Sequence, residues 1–325
     1  MGELIQNQNN QDTFFYEQPL VGVIKVSGKS HADFLQRQTT NDFRLLSSER
    51  ILTTVLSSPT GRILDVLYLF EDQSGNEPAI QALTLPGNAP ATTSYFNSRI
   101  FFMDQVKLLE ISDNYIHIDL IGPNAGQALT WLGFDSLPET GQLLTTQADA
   151  GVIRLFQHNS QLGLGFRICA TSAWQERIRS SLFEAGVKEL THNDYEILRV
   201  EAGLPSKPNE LSNEYTPLEV NLESAISDEK GCYTGQEVIT RQTTYDKVTR
   251  KLVGLFLSAE TPVAAQLQAE GKPVGAITSA VLSSRFGPIA LAIVKRPYNQ
   301  PDTLLILNEG ENPITARVTQ LPFAP

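Results

Sequence analysis

The sequence predicts an α+β fold with mainly antiparallel strand pairing, followed by a separate all-β barrel. Three observations predict it. An apolar strand, a small-residue turn and an amphipathic helix recur at Val21 to Gln38, Tyr115 to Leu132 and Leu162 to Ala185. Strand-like stretches, Ile63 to Phe70 and Ala79 to Leu85, lie between these units. After Arg250 the texture changes to short β-rich runs punctuated by glycine. Interleaved helices and hairpins point to α+β rather than to a doubly wound parallel sheet.

Taken in order, residues 1–13 carry the run Gln-Asn-Gln-Asn-Asn-Gln and form a disordered tail, too polar to bury anything. Gly163-Leu164-Gly165 lacks the third glycine and following acid of a dinucleotide fingerprint and is set aside. In Ile116-His117-Ile118-Asp119-Leu120 the alternation puts His117 on the face opposite the isoleucines, where a solvated histidine is expected. A helix is expected from about Asn193 to Ala202, capped by Asn193 or Thr191 and stopped by Gly203 and Pro205. Leu252 to Leu257, Pro273 to Leu282 and Ile289 to Val294, with turns at Glu270-Gly271-Lys272 and Phe286-Gly287-Pro288, read as a barrel over residues 251–325.

Composition excludes several functions. Against 25 basic residues stand 36 acidic ones, a formal charge of −11, and no Lys/Arg block occurs, so direct nucleic-acid binding is not expected. No apolar run is long enough to span a bilayer and no signal-peptide layout opens the chain, which predicts a soluble cytoplasmic protein without membrane contact. The two cysteines, Cys169 and Cys232, form no C-x-x-C pair and the four histidines show no ligand spacing, so no resident metal is expected.

Lys230-Gly231-Cys232-Tyr233-Thr234-Gly235-Gln236-Glu237 is the most informative run. Thr234 with Glu237 three positions on reads as a capping box, with Gly235 at the first helical position. Cys232 then sits beside a helix N-terminus, where a thiolate or a ligand carboxylate is favoured, with Lys230 and Arg241 adding positive charge. The alternative is a small buried hydrophobe. Gly231 and Gly235, which allow close backbone approach, favour the functional reading. Glu201, in the last turn of its helix, opposes the helix dipole and is suited to accept ligand N–H groups; a surface acid paired to Arg199 or Lys207 is the competing reading.

This eight-residue run resembles the signature of the YgfZ-type folate-binding proteins, relatives of the glycine-cleavage T-protein (aminomethyltransferase) and of mitochondrial iron-sulfur assembly factors. Phe34 to Asp42, Gly61-Arg62-Ile63-Leu64-Asp65, Leu198 to Pro205, Thr216-Pro217-Leu218-Glu219 and Gly275 to Ser279 resemble further family segments, so coverage is nearly complete from residue 14. The resemblance implies three subdomains in a cloverleaf around a central folate channel, two of them interleaved in residues 14–250, and tetrahydrofolate as cofactor. It assigns Glu201 to the pterin ring and Cys232 to the cysteine that T-proteins lack. Lys230, Gly231, Tyr233 and Gln236 of the same motif are expected at the folate site, and Arg241, by charge, at the glutamyl carboxylates. T-proteins carry two adjacent aspartates where this chain has Asp65 followed by Val66, and the second is the catalytic one.

Three functions follow. The leading one is a folate-binding accessory factor, with Cys232 as reactive thiol, for assembly or repair of iron-sulfur clusters in other proteins; those proteins or cluster-assembly factors would be its partners, and the resemblance suggests an effect on tRNA-modification enzymes. The second is a folate-dependent aminomethyltransferase in which Asp65 is catalytic. The third is a non-enzymatic, folate-gated scaffold.

Overall fold

The structure, a computed structural model, describes residues 12–72, 77–158, 165–307 and 313–324. Residues 1–11 of the expected tail, Gly163 and Leu164, and the first residues of the Leu162 to Ala185 unit lie outside the described residues. Thr13, assigned to that tail by composition, is buried, and its Oγ1 accepts the Asn124 N–H at 2.9 Å. The described chain divides into two compact units, residues 12–189 with 223–238, and residues 190–222 with 239–324.

The larger unit begins with β1 (Phe14–Glu17), β2 (Val23–Ser27), α1 (His31–Gln38), β3 (Leu52–Ser57), β4 (Ile63–Asp72), β5 (Ala79–Leu83), α2 (Ala89–Asn97) and β6 (Lys107–Glu110). It continues with β7 (Tyr115–Ile121), α3 (Ala125–Thr130), β8 (Leu143–Ala148), β9 (Gly151–Gln157), β10 (Gly165–Thr171), α4 (Gln175–Glu184) and β11 (Lys188–Glu189). Two sheets result, one of order β3-β4-β5-β2-β6 and one of order β11-β1-β7-β10-β9-β8. Their described pairings are antiparallel except β1 with β11.

Helix periodicity decides which faces are covered. Phe34 and Leu35 of α1 and Phe96 of α2 pack on Ile24, Val26, Leu67 and Leu69 of the first sheet. Ile178 and Leu182, one turn apart on α4, pack with Leu129 on Ile118, Leu120, Leu155 and Ile168 of the second. Fully burying each such side chain contributes about 1.5–3 kcal/mol. The opposite faces meet each other: Val23, Phe70 and Leu83 of one sheet join Leu143, Phe156 and Cys169 of the other. The unit is therefore layered helix, sheet, sheet, helix.

That layering corrects the expectation for His117. It does face away from the isoleucines, but the second sheet face lies against the first sheet and not against water. His117 is 2% exposed, stands opposite Cys169 in register, and neither ring nitrogen has a hydrogen-bond partner. Burial first, then the charge of Arg167, lowers its pKa to about 3. Two positions on, Asp119 pairs with Arg167 at 2.6 and 2.9 Å.

The second unit holds α5 (His192–Glu201), capped by Thr191, and, after the shared helix α6 (Gln236–Thr244), a closed barrel. Its strands are β12 (Arg250–Leu257), β13 (Gln266–Ala269), β14 (Lys272–Ser283), β15 (Gly287–Lys295), β16 (Leu304–Ile306) and β17 (Thr315–Thr319), in the order β12-β15-β14-β13-β16-β17. Leu255, Leu267, Ile277, Ala292, Leu305 and Val318 fill it. Glu270 and Gly271, both at positive φ, make the tight β13–β14 turn, and Gly203 at φ +70° ends the α5 segment as expected.

Candidate functional site

Two of the sequence motifs, Phe34 to Asp42 and Lys230 to Glu237, fold into one local structure in the larger unit. The link is a buried lysine. Lys230, 6% exposed, donates from Nζ to the carbonyls of Thr39 at 2.6 Å and Asn41 at 2.7 Å, and lies 5.2 Å from the Tyr233 ring centroid. Around it the Ser227 N–H donates to Thr40 O, the Thr40 hydroxyl to Ala225 O, the Thr234 N–H to Arg37 O, and the Ser57 hydroxyl to Thr234 O. Burial, opposed by the charge of Asp42, lowers the Lys230 pKa to about 8. Burial likewise lifts the Tyr233 phenol to about 12.

Within this clamp, one stretch is left open. Gly231 has nothing within 4 Å of where a Cβ would stand, and Cys232 is exposed. Cys169, by contrast, is buried, which pushes its thiol up to about 12. Cys232 is therefore not the small buried hydrophobe that was its competing reading.

The helix start differs from the capping-box expectation. Gly235 has φ +85°, outside the helical region, and the Gln236 N–H closes a turn onto Tyr233 O at 3.2 Å. The Thr234 hydroxyl donates to Gln38 Oε1 at 3.4 Å, and α6 begins at Gln236. Gly235 is needed for contact as well as for φ, because an added Cβ would stand 2.6 Å from Ser58 O. Gln236, half-buried, opens the helix; Arg241, exposed, lies in its last turn and belongs to the barrel unit.

The remaining expected residues lie elsewhere. Asp65 is in the larger unit but is 0% exposed, at an irregularity where Leu56 pairs with Asp65 and Ser57 with Ile63. Its Oδ1 accepts the N–H groups of Val66 and Leu85, and its Oδ2 the Thr92 hydroxyl at 2.5 Å. The Leu85 and Thr92 bonds staple β4 to the β5–α2 connection and to α2 itself. Burial outweighs them and raises its pKa to about 6.

Glu201 ends α5 in the barrel unit. It is not the surface acid paired to Arg199 or Lys207 of the competing reading: it is 4% exposed and bonded to Ser283 and Arg285, while Arg199 is engaged by Glu196, Ser279 and Leu204 O. Burial raises its pKa. Neither Ser283 nor Arg285 was singled out from sequence, since nothing in a β-hairpin turn marks it as the seat of a helix-terminal acid. The same holds for the Thr39 and Asn41 carbonyls, because main-chain acceptors leave no trace in residue identity. Among the described residues no group of three or more His, Cys, Asp or Glu is arranged to hold a metal ion, and no helix is long and apolar enough to cross a membrane.

Comparison with known proteins matches both halves of the chain. Residues 10–230 match the GCVT N-terminal domain and residues 250–324 the glycine cleavage T-protein C-terminal barrel domain. The chloroplastic "Putative transferase" of Arabidopsis thaliana is 31% identical over 274 residues, covering 79% of this chain and 59% of that protein, so this chain spans less than two thirds of its length. An aminomethyltransferase of Exiguobacterium sibiricum is 27% identical over 310 residues, covering 93% of this chain and 84% of that protein. The glycine cleavage system aminomethyltransferase T from Bartonella henselae shares the fold, with TM-score 0.83 at 22% identity over 97% of this chain and 87% of that one. The chain belongs to the glycine cleavage T-protein family.

Proposed function

We propose that this protein is a tetrahydrofolate-binding accessory factor of the YgfZ type, serving assembly or repair of iron-sulfur clusters in other proteins, with Cys232 as its working thiol. One observation carries the reading. The exposed Cys232 stands in a loop whose neighbours are pinned on both sides, by the buried Lys230 bonds and the part-buried Ser57–Thr234 bond. A thiolate is a soft ligand suited to transient iron-sulfur contact. Glu201 fits the folate part of the proposal, as a buried carboxylate able to accept the N–H groups of a pterin; tetrahydrofolate, when bound, supplies a one-carbon carrier. Lys230, Gly231, Tyr233 and Gln236 form and hold the cysteine loop.

Complementation of a deletion strain tests the thiol. Activity of cluster-containing enzymes should return with the parent gene and remain low with Cys232→Ala; full rescue by that variant removes the thiol from the mechanism.

Aminomethyl transfer is the second reading, favoured by relatives named aminomethyltransferases that align over 93% of the chain. Against it stands Asp65, whose carboxylate is enclosed and committed to internal donors, those of Val66, Leu85, Asn88 and Thr92 among them. Assay of methylenetetrahydrofolate formation with a lipoylated carrier decides it: turnover that Asp65→Asn abolishes would establish this activity.

A further inference from the structure

The two oxygens of the Glu201 carboxylate are held unequally. Oε1 accepts the Ser283 hydroxyl at 2.6 Å, and Ser283 Oγ is itself fixed by the N–H groups of Arg285 and Phe286, each at 3.0 Å. Oε2 accepts Arg285 Nη1 at 3.3 Å, long for a charge-assisted bond, from a side chain 50% exposed. One oxygen is locked into a hairpin turn; the other is covered by a half-exposed cation.

The chemistry of that cover is specific. A guanidinium presents N–H donors on a planar N–C–N fork. The 2-amino-4-oxopyrimidine ring of a folate presents the same fork at N3–H and its 2-amino group. We propose that Arg285 is an internal stand-in for that ring edge, occupying Glu201 until a ligand with a guanidine-like N–H pair displaces it. The inference rests on the reading of Glu201 as the folate acceptor.

Exchange, rather than simple opening, follows from burial. Withdrawing Arg285 alone would leave an enclosed carboxylate short of a donor, so its release is coupled to the arrival of a replacement. Arg285 does not depend on Glu201 alone: its guanidinium carbon also lies 4.9 Å from the Phe286 ring centroid, and Phe286 packs with Phe256 and Phe323. A ligand lacking the N–H pair cannot complete the exchange, which makes Arg285 a selectivity residue of the Glu201 subsite.

Isothermal titration of the full chain with tetrahydrofolate tests this, using the parent, Glu201→Gln, Arg285→Ala and Arg285→Lys. Half-exposed ion pairs contribute up to about 1 kcal/mol, so Arg285→Ala should bind roughly two- to fivefold more tightly, with Arg285→Lys between it and the parent. Glu201→Gln should bind more weakly. If the parent binds and Glu201→Gln weakens binding while Arg285→Ala leaves affinity unchanged or reduces it, the stand-in role is overturned and the folate reading survives. If neither the parent nor any variant binds, the folate reading falls and this inference with it.

Discussion

Lys230 shows how one side chain can organise a site without being its reactive group. Replacing it by methionine leaves two enclosed carbonyls without a donor, at a cost of about 1–3 kcal/mol for each group left unsatisfied. Urea denaturation of Lys230→Met should show a loss of about 2–6 kcal/mol, the sum over the two groups. The cysteines make a second residue-scale contrast. Ellman's reagent should titrate one thiol in the native protein, Cys232, and two after unfolding; reaction of Cys169 in the native state would contradict its burial. The sequence made Cys232 legible because cysteine chemistry travels with the residue. It hid the environment of His117, because alternation along a strand says that a side chain faces the other way and not what waits there.

At the scale of elements, local chemistry was read well where glycine or periodicity set it and poorly where long-range contact did. The α5 boundaries and the β13–β14 turn follow from Thr191, Gly203 and Gly271. The start of α6 does not follow from Thr234 and Glu237, because Gly235 is left-handed at φ +85° and sits where a Cβ would meet the Ser58 to Gly61 turn. Gly235→Ala should therefore cost at least about 1–2 kcal/mol from backbone strain, with contact against Ser58 O adding to it. A thermal melt measures the loss, and faster Ellman reaction of Cys232 would report the disturbed loop. An unchanged melting temperature would show that this turn can relax. Strand β4 gives the complementary case: Asp65 was visible, but its staple to Leu85 and Thr92 was not, since those partners lie 20 and 27 positions away.

Across the whole molecule, the face-to-face sheets place ionisable groups where water would otherwise be. The unfolded chain protonates His117 near pH 6.5 whereas the folded chain resists down to about pH 3, so the unfolded state binds more protons between those values. Stability contributed by neutral His117 is thus present above about pH 6.5 and is lost as the pH falls, with each unit of separation worth about 1.4 kcal/mol. Asp65, held at about 6 against an ordinary 3.8, works in the opposite direction over part of that window. His117→Leu should flatten the acid limb of the stability profile and, because both ring nitrogens lack partners, leave stability at pH 7 unchanged or higher. A profile with the parent's slope would exclude His117 as its source. The barrel was legible as a whole because its hairpins are local, whereas the layered unit draws strands from both ends of its sequence into neighbouring positions.

The acceptors that seat Lys230 are main-chain oxygens, which every amino acid supplies. The lysine contact thus asks nothing of the side chains at positions 39 and 41, which are bonded separately, Thr39 Oγ1 to Leu35 O and Asn41 Nδ2 to Thr53 O, whereas position 230 must supply a long cationic donor. Constraint on this contact is one-sided: a comparison of pairs of positions would find no correlated exchange, although the two segments are bolted together.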